Sequence, residues 1–419
     1  MKAERFLPLL LGILTPTAAT AVTDTATGIF APGFSTLKVQ LDGDFLAPPV
    51  IRLGDSRMTL YVSFDELGDE HRYMRCSLEH LTPLWQPSGL LPSEYASGFN
   101  EAEVADYAYS QNTFRHYVNY RISIPSQELY PLISGNYLLR VWDEEEPDST
   151  LLQARFCVSE NVGTITGEAS HITDRGSAGE FQQVSFTFSP GNFQLQDVFS
   201  DLQAIVVQNS DPSTAVSVKP LRMQGGSIVY EHRPELIFPA GNEFRRFETT
   251  RTDYTGMHIA RNGVENGAYS SWLNTDEERA DRPYEYDRTQ YGRFKVDEYN
   301  ASDPDLGADY VKTYFTLDFP QVMNGDVYVD GEFTHHRLDD SNRMTWDAET
   351  HTYTLPMLLK QGSYNYRYVL RGHNPADKPD PAPVEGNHYE TRNEYTIYIY
   401  YTPPGARYSR LLNVAVIRP

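Results

Sequence analysis

Few residues in this chain stand at spacings that could do chemistry. His335-His336 is the only adjacent pair among its 11 histidines. Neighbours on a regular strand point to opposite faces, so the two rings would not share a metal ion, and a solvated turn is expected there. Asp303, Asp305 and Asp309 could offer oxygen ligands to Ca²⁺, but their spacing does not match an EF-hand loop and Pro304 restricts the backbone. Asp143-Glu144-Glu145-Glu146, between Trp142 and Pro147, reads as an exposed hairpin turn, because charge runs are ordinarily solvated. Paired carboxylates for glycoside hydrolysis cannot be chosen from 57 acidic residues without a motif. The G-x-S-x-G, H-E-x-x-H, Walker-type Gly-Lys and Cys-x-x-Cys motifs are all absent. These residues support no catalytic, metal or cofactor assignment, and enzyme activity stays open on this ground alone.

Cys76 and Cys157 are the only cysteines. In an oxidising compartment they could form a disulfide, closing a long loop worth ~3–5 kcal/mol in the chain-entropy model. The other reading is two small buried side chains on separate strands.

The elements that must position such residues are strands. Val118–Ile124, Gln183–Phe188, Asp326–Val329 and Glu394–Tyr400 each alternate with period two. Turn signals divide them, among them Ser134-Gly135-Asn136, Asn324-Gly325-Asp326 and Pro403-Pro404-Gly405. Helical spacing of apolar residues is scarce, and Tyr (29) outnumbers Phe (20). The fold class expected is all-β, as elongated tandem Ig-like or β-sandwich modules. The first module is placed at 22–159, ending in the strand Leu152–Val158. A middle module at 160–300 has a loop-rich end, and a C-terminal Ig-like module occupies 301–419, with Ala301–Ala308 as a linker.

Residues 1–21 read as a signal peptide. Lys2 and Arg5 precede the apolar run Phe6–Leu14, and Ala19-x-Ala21 supplies a cleavage pattern. That run is far shorter than the roughly 20 residues that span a bilayer. The formal charge of the chain is −22. Removing two basic residues and one acidic residue takes it one unit further negative. Such a field opposes nucleic acid, which is bound by neutralising phosphates, and anionic lipid.

In the third module, Asp326–Phe333 followed by Leu358–Tyr368 is similar in layout to starch- and glycogen-binding Ig-like modules. Those modules place a sugar-stacking Trp just after the Phe, where this chain has Thr334, His335 and His336. Packing of Tyr328, Phe333, Tyr364 and Tyr366 in a sandwich core is the expected role. A periplasmic or surface carbohydrate-binding protein using this module is the alternative reading.

A longer set of phrases runs along the chain. Leu60-Tyr61-Val62-Ser63-Phe64-Asp65-Glu66-Leu67, Tyr73-Met74-Arg75-Cys76, Glu94–Phe99, Ser134-Gly135-Asn136-Tyr137 and Arg155-Phe156 lie in the first module. Val206–Asn209 and Ala240–Phe247 follow, then Ala308–Val311, Leu359–Tyr366, Glu385-Gly386-Asn387 and Glu390–Tyr395. In this order they resemble the plug protein family of the Bacteroidota type IX secretion system, over nearly the whole chain. That resemblance implies a periplasmic protein, not an enzyme, at the inner side of the outer membrane, monomeric when free and not inserted in the membrane. It implies a stopper that binds the periplasmic opening of the very large outer-membrane translocon barrel and keeps it sealed until a substrate is exported.

Arg and aromatic residues concentrate in interface cores, and loops on rigid scaffolds commonly carry function. The stretch Thr249–Tyr291 is rich in both, so Tyr254, Trp272, Arg279, Arg282 and Tyr284 are candidate contacts with the channel. The competing reading is an ordinary surface loop with internal ion pairs.

Overall fold

The computed structural model describes residues 24–175, 179–374 and 377–418. The expected signal peptide, 1–21, lies outside the described residues. The alternating segments form strands as expected: Tyr117–Ile124, Phe181–Ser189 and Asp326–Asp330 each contain one of them, and Tyr395–Tyr401 takes all of the fourth but Glu394. No helix among the described residues is long and apolar enough to cross a membrane.

The first sandwich packs two sheets. One is built mainly from Met74–Leu81, Gly135–Asp143 and Glu146–Ser159, the other from Phe34–Leu41, Leu60–Leu67, Tyr107–Tyr109 and Tyr117–Ile124. Leu60, Val62 and Phe64 alternate into the core against Leu139, Val141 and Phe156. Asp143 and Glu146 flank the acidic turn, as expected. Gly135 opens its strand at φ 140°, and a Cβ there would lie 2.4 Å from His80 Nε2, so only glycine fits.

Module boundaries depart from the linear division. Leu202–Gln208 pairs antiparallel with Tyr395–Tyr401, Leu202 opposite Tyr401 and Gln208 opposite Tyr395. The last strand, Arg410–Ile417, joins the same sheet. The middle sandwich therefore combines residues from about 164–239 with 395–417, and its core mixes Val184, Phe186 and Val206 with Ile397, Ile399 and Leu412. The third sandwich, Arg245 to Arg371, is inserted within it. The loop-rich stretch assigned to the middle module belongs to the third, where Ser270-Ser271-Trp272 pairs in parallel with Lys312-Thr313-Tyr314. The expected boundaries at 160–300 and 301–419 are corrected accordingly. Alternation marked the strands, but it carries no information about partners nearly 190 residues apart.

The two crossings of the insertion are tied to each other. Gly241 N donates to Asn387 Oδ1 at 2.9 Å, Thr391 Oγ1 to Gly241 O at 3.0 Å and Asn393 Nδ2 to Ala240 O at 2.8 Å.

Each sandwich also touches the two others, so the three do not form an elongated row. Between first and third, Lys360 Nζ lies 2.6 Å from Asp65 Oδ2, with the two side chains 1% and 0% exposed. Tyr310 OH and Asn119 Nδ2 also donate to that carboxylate, and Lys360 Nζ donates to Asp305 O. Residues 301–308, expected as a linker, are part of this joint: Asp303 caps the turn Pro304–Gly307, and Asp305 pairs with Lys38. Asp309 accepts from the backbone N–H groups of Phe114 and Arg115. The acidic residues weighed as calcium ligands thus hold protein donors. Between first and middle, Arg410 Nε donates to Glu160 Oε1 at 2.8 Å and Tyr400 OH to Asn136 Oδ1 at 2.6 Å. Between middle and third, Arg293 pairs with Glu394 out of solvent.

The cysteines do not pair. Both are free and buried, Cys76 in the first sandwich core beside Ala102 and Cys157 on the opposite side against Ile205, Tyr400 and Leu411. Register places Cys76 opposite Val141 and Cys157 opposite Asn136, on the two outer strands of a three-strand ladder. Burial pushes both thiols up to about 12. Thiol titration without reductant should therefore count no reactive thiol in the folded protein and two after denaturation; a count of zero after denaturation would show a disulfide. Lys360→Met should leave the Asp65 charge buried without its partner and cost ~3–5 kcal/mol, seen as a lower denaturation midpoint, with Asp65→Asn added recovering part of it.

Candidate functional site

The stretch Thr249–Tyr291 divides into inward and outward groups. Arg279 Nε donates to Glu385 Oε2 at 2.6 Å, and its Nη2 donates to Glu243 O. Tyr284 OH donates to Glu243 Oε1 at 2.8 Å. Glu385 is buried and also receives Arg245 at 3.1 Å, and Arg245 reaches Asp276 at 2.8 Å. Arg279 and Tyr284 are thus spent on an internal network, and Arg282 pairs with Glu277 on the surface. Tyr254 is 66% exposed. Trp272 stacks flat on Tyr314 with centroids 4.9 Å apart, and the Arg261 guanidinium lies 3.2 Å from its ring centre. Of the five candidates, Tyr254 is exposed as an aromatic, Trp272 is half-buried with its ring held by Tyr314 and Arg261, and Arg282 is in an exposed ion pair.

The rings of the third module behave as core. Tyr328, Tyr364 and Tyr366 are buried, and Phe333 meets Tyr364 edge-on at 5.3 Å. These three buried tyrosines offer no face to a sugar.

A second surface was not singled out from sequence. His71 stacks on Tyr107 at 4.6 Å and 7°, Tyr73 meets His71 edge-on at 5.0 Å, and Tyr109 meets Tyr107 edge-on at 6.1 Å. Tyr73 is 61% and Tyr109 48% exposed. Tyr107–Tyr109 is the outermost strand of its sheet, and its i, i+2 spacing puts both tyrosines on one face. The acidic turn adjoins this cluster, since Glu144 N donates to Tyr73 O. Arg72 and Arg75 neutralise Asp143 and Glu144, while Glu70, Glu145 and Glu146 have no basic partner among the described residues. The result is an aromatic platform edged with negative charge. The phrase Tyr107-Ala108-Tyr109 was its only sequence signal.

One group has the composition of a metal site. Oxygen or nitrogen atoms of Asp211, Asp330 and His336 lie within 4.8 Å of one another. The cation there is a side chain: Arg367 pairs with Asp211 and, at 3.0 Å, with Asp330, while His336 Nδ1 sits 3.1 Å from Asp330 Oδ1. Burial opposes the charge on His336, but Asp330 and Asp211 outweigh it and raise the imidazole above its ordinary value. This set is charge-balanced by protein groups and does not call for a metal.

His335 and His336 both stand in the left-handed region, φ 55° and 53°. The expected turn is present, but it is not solvated. It lies half-buried at the junction of the sandwiches, His336 facing Asp330 and His335 lining the cleft between them. Backbone strain of this kind persists only where surroundings enforce it.

Residues 34–160 match the family model described as type 9 secretion system plug protein 1st domain. The first sandwich is thus a first domain of the type IX secretion plug protein family. A crystal structure of a hypothetical protein from Parabacteroides merdae is 36% identical, with a TM-score of 0.91, over 94% of this chain and 99% of that one. No curated protein matches the chain. Within the plug-family span lie the aromatic platform and Asp65, so the matched module carries both an outward surface and the inward joint to the third sandwich.

Burial, followed by the charges of His336 and Arg337, depresses His335 to about 4. An unfolded histidine titrates near about 6.5. Between those values the unfolded chain binds the extra proton, so this residue's contribution to stability is lost as pH falls from about 6.5 towards 4. His335→Gln should lose less stability than the parent on moving from pH 7 to pH 5, measured by urea denaturation. Equal losses would remove His335 from the balance.

Proposed function

We propose that this chain is a periplasmic plug without enzymatic activity. It binds the periplasmic opening of the type IX outer-membrane translocon and keeps that opening sealed when no substrate is being exported. Plug-family membership carries this reading. Three sandwiches, joined pairwise through buried polar contacts, supply a stiff body suited to covering an opening, because the contacts resist hinge motion without any chemistry.

The aromatic platform around His71, Tyr73 and Tyr107 is the surface best suited to the channel. Tyr rings bring large contact area at low entropy cost, and a rim of unpaired carboxylates favours a partner with basic residues around its mouth. Tyr254 and Trp272 form a second, smaller contact candidate on the third sandwich. Charge-based complementarity makes binding salt-dependent.

Pull-down from outer-membrane extracts should recover a very large barrel with the parent chain. Tyr73→Ser with Tyr107→Ser should reduce recovery at least tenfold with little change in melting temperature, since surface substitutions typically move stability by less than about 0.5 kcal/mol. Recovery of only free monomer from both resting and secreting cells would sink the plug reading. Undiminished recovery with the double variant would move the contact elsewhere.

A further inference from the structure

Where the three sandwiches meet they form a cleft of about 440 Å³, partly open to solvent. This volume lies in the range of small-molecule sites. Each sandwich builds a wall: Trp85 and Arg155 from the first, Val207 and Tyr398 from the middle, Glu332 and His335 from the third. Much of that wall is apolar, and the polar groups are few and distinct.

The charges are unevenly answered. Of the lysines and arginines on the wall, Lys38 pairs with Asp305 and Arg293 with Glu394. Arg155 has no carboxylate within 4.0 Å among the described residues. Its Nε donates to Thr25 O at 2.6 Å and one Nη to Thr25 Oγ1 at 3.2 Å, and the guanidinium lies 4.5 Å over Trp85. Burial, barely offset by Asp24, lowers it to about 10. Across the cleft, the only hydrogen bond to the Glu332 carboxyl is from Phe294 N at 3.4 Å, and the His335 ring has no hydrogen-bond partner among the described residues. Burial raises Glu332 towards its protonated form, so that wall carries hydrogen-bonding capacity with little charge.

We propose that this junction binds a small apolar organic acid, its carboxylate on Arg155, its hydrocarbon body over Trp85, Val207 and Tyr398, and any far polar group on Glu332 and His335. A guanidinium without a counterion selects the anion, since a buried charge is costly until paired. The apolar wall selects the body. Binding would bridge all three sandwiches and tighten their junction. The inference stands independently of the plug reading, because it rests on the cleft alone.

The test titrates the full chain with 8-anilinonaphthalene-1-sulfonate as fluorescent probe and competes it with decanoate and with decan-1-ol. One saturable site is expected, with decanoate displacing the probe at least tenfold more effectively than the alcohol. Arg155→Gln should remove that preference, and Val207→Trp, from another sandwich, should abolish binding by filling the space. Absence of a saturable site in the parent chain would overturn the proposal, as would equal competition by acid and alcohol. Should either variant fail to fold, the acid–alcohol comparison on the parent decides alone. A variant that folds, judged by an unchanged melting profile, yet binds as the parent does would also overturn it.

Discussion

The contact between Asp65 and Lys360 governs how this chain is put together. Two opposite charges are removed from water at the joint of the first and third sandwiches, at 2.6 Å. Desolvation of each ion costs several kcal/mol, and the pair is tolerable only because its remaining hydrogen-bonding capacity is met. Tyr310 and Asn119 complete the carboxylate, and Asp305 O and the Tyr117 ring, 3.9 Å away, complete the ammonium. Such a site tolerates little displacement. Moving the third sandwich by one residue of register would strand both charges, so the pair specifies the docking geometry more than it adds net stability.

The same logic recurs at the other joints. Arg293 with Glu394, and Arg367 with Asp211 and Asp330, fix the third sandwich against the middle one. Arg410 with Glu160 fixes the middle one against the first. The insertion topology adds covalent constraint, because the third sandwich is tethered at both ends and its two crossings are hydrogen-bonded to each other. Flexible beads on a string would bend at their linkers. Here the expected linker is itself packed, and Asp305 and Asp309, which had the chemistry of calcium ligands, help hold the parts together.

This arrangement separates inward from outward chemistry. Buried charges are consumed in joints, while the aromatic platform of the first sandwich faces outward and the Trp272–Tyr314 stack of the third is half-exposed. The arrangement also leaves a partly open cleft where three walls meet without filling it. Arg279 and Tyr284 illustrate the division: an Arg-and-Tyr-rich loop has interface composition, but these two side chains find partners in Glu385 and Glu243, on the crossings to the middle sandwich, and are not free to seek others.

Strand content and identity were legible locally. Alternation in Val118–Ile124 and Glu394–Tyr400 depends only on which side chains share a face of a pleated backbone, and that is a property of neighbours. The resemblance phrases likewise belong to linear order: Ser134-Gly135-Asn136 marks a glycine whose Cβ would strike His80. Pairing was not local. Nothing in Leu202–Gln208 names Tyr395–Tyr401 as its neighbour, because any apolar alternating strand satisfies the same pattern. The return of the last two strands into the middle sandwich is decided by which cores can close around them. Partner choice for charges has the same origin. Asp65, Lys360 and His335 read as surface-type residues in one dimension, and only the meeting of three sandwiches took them out of water.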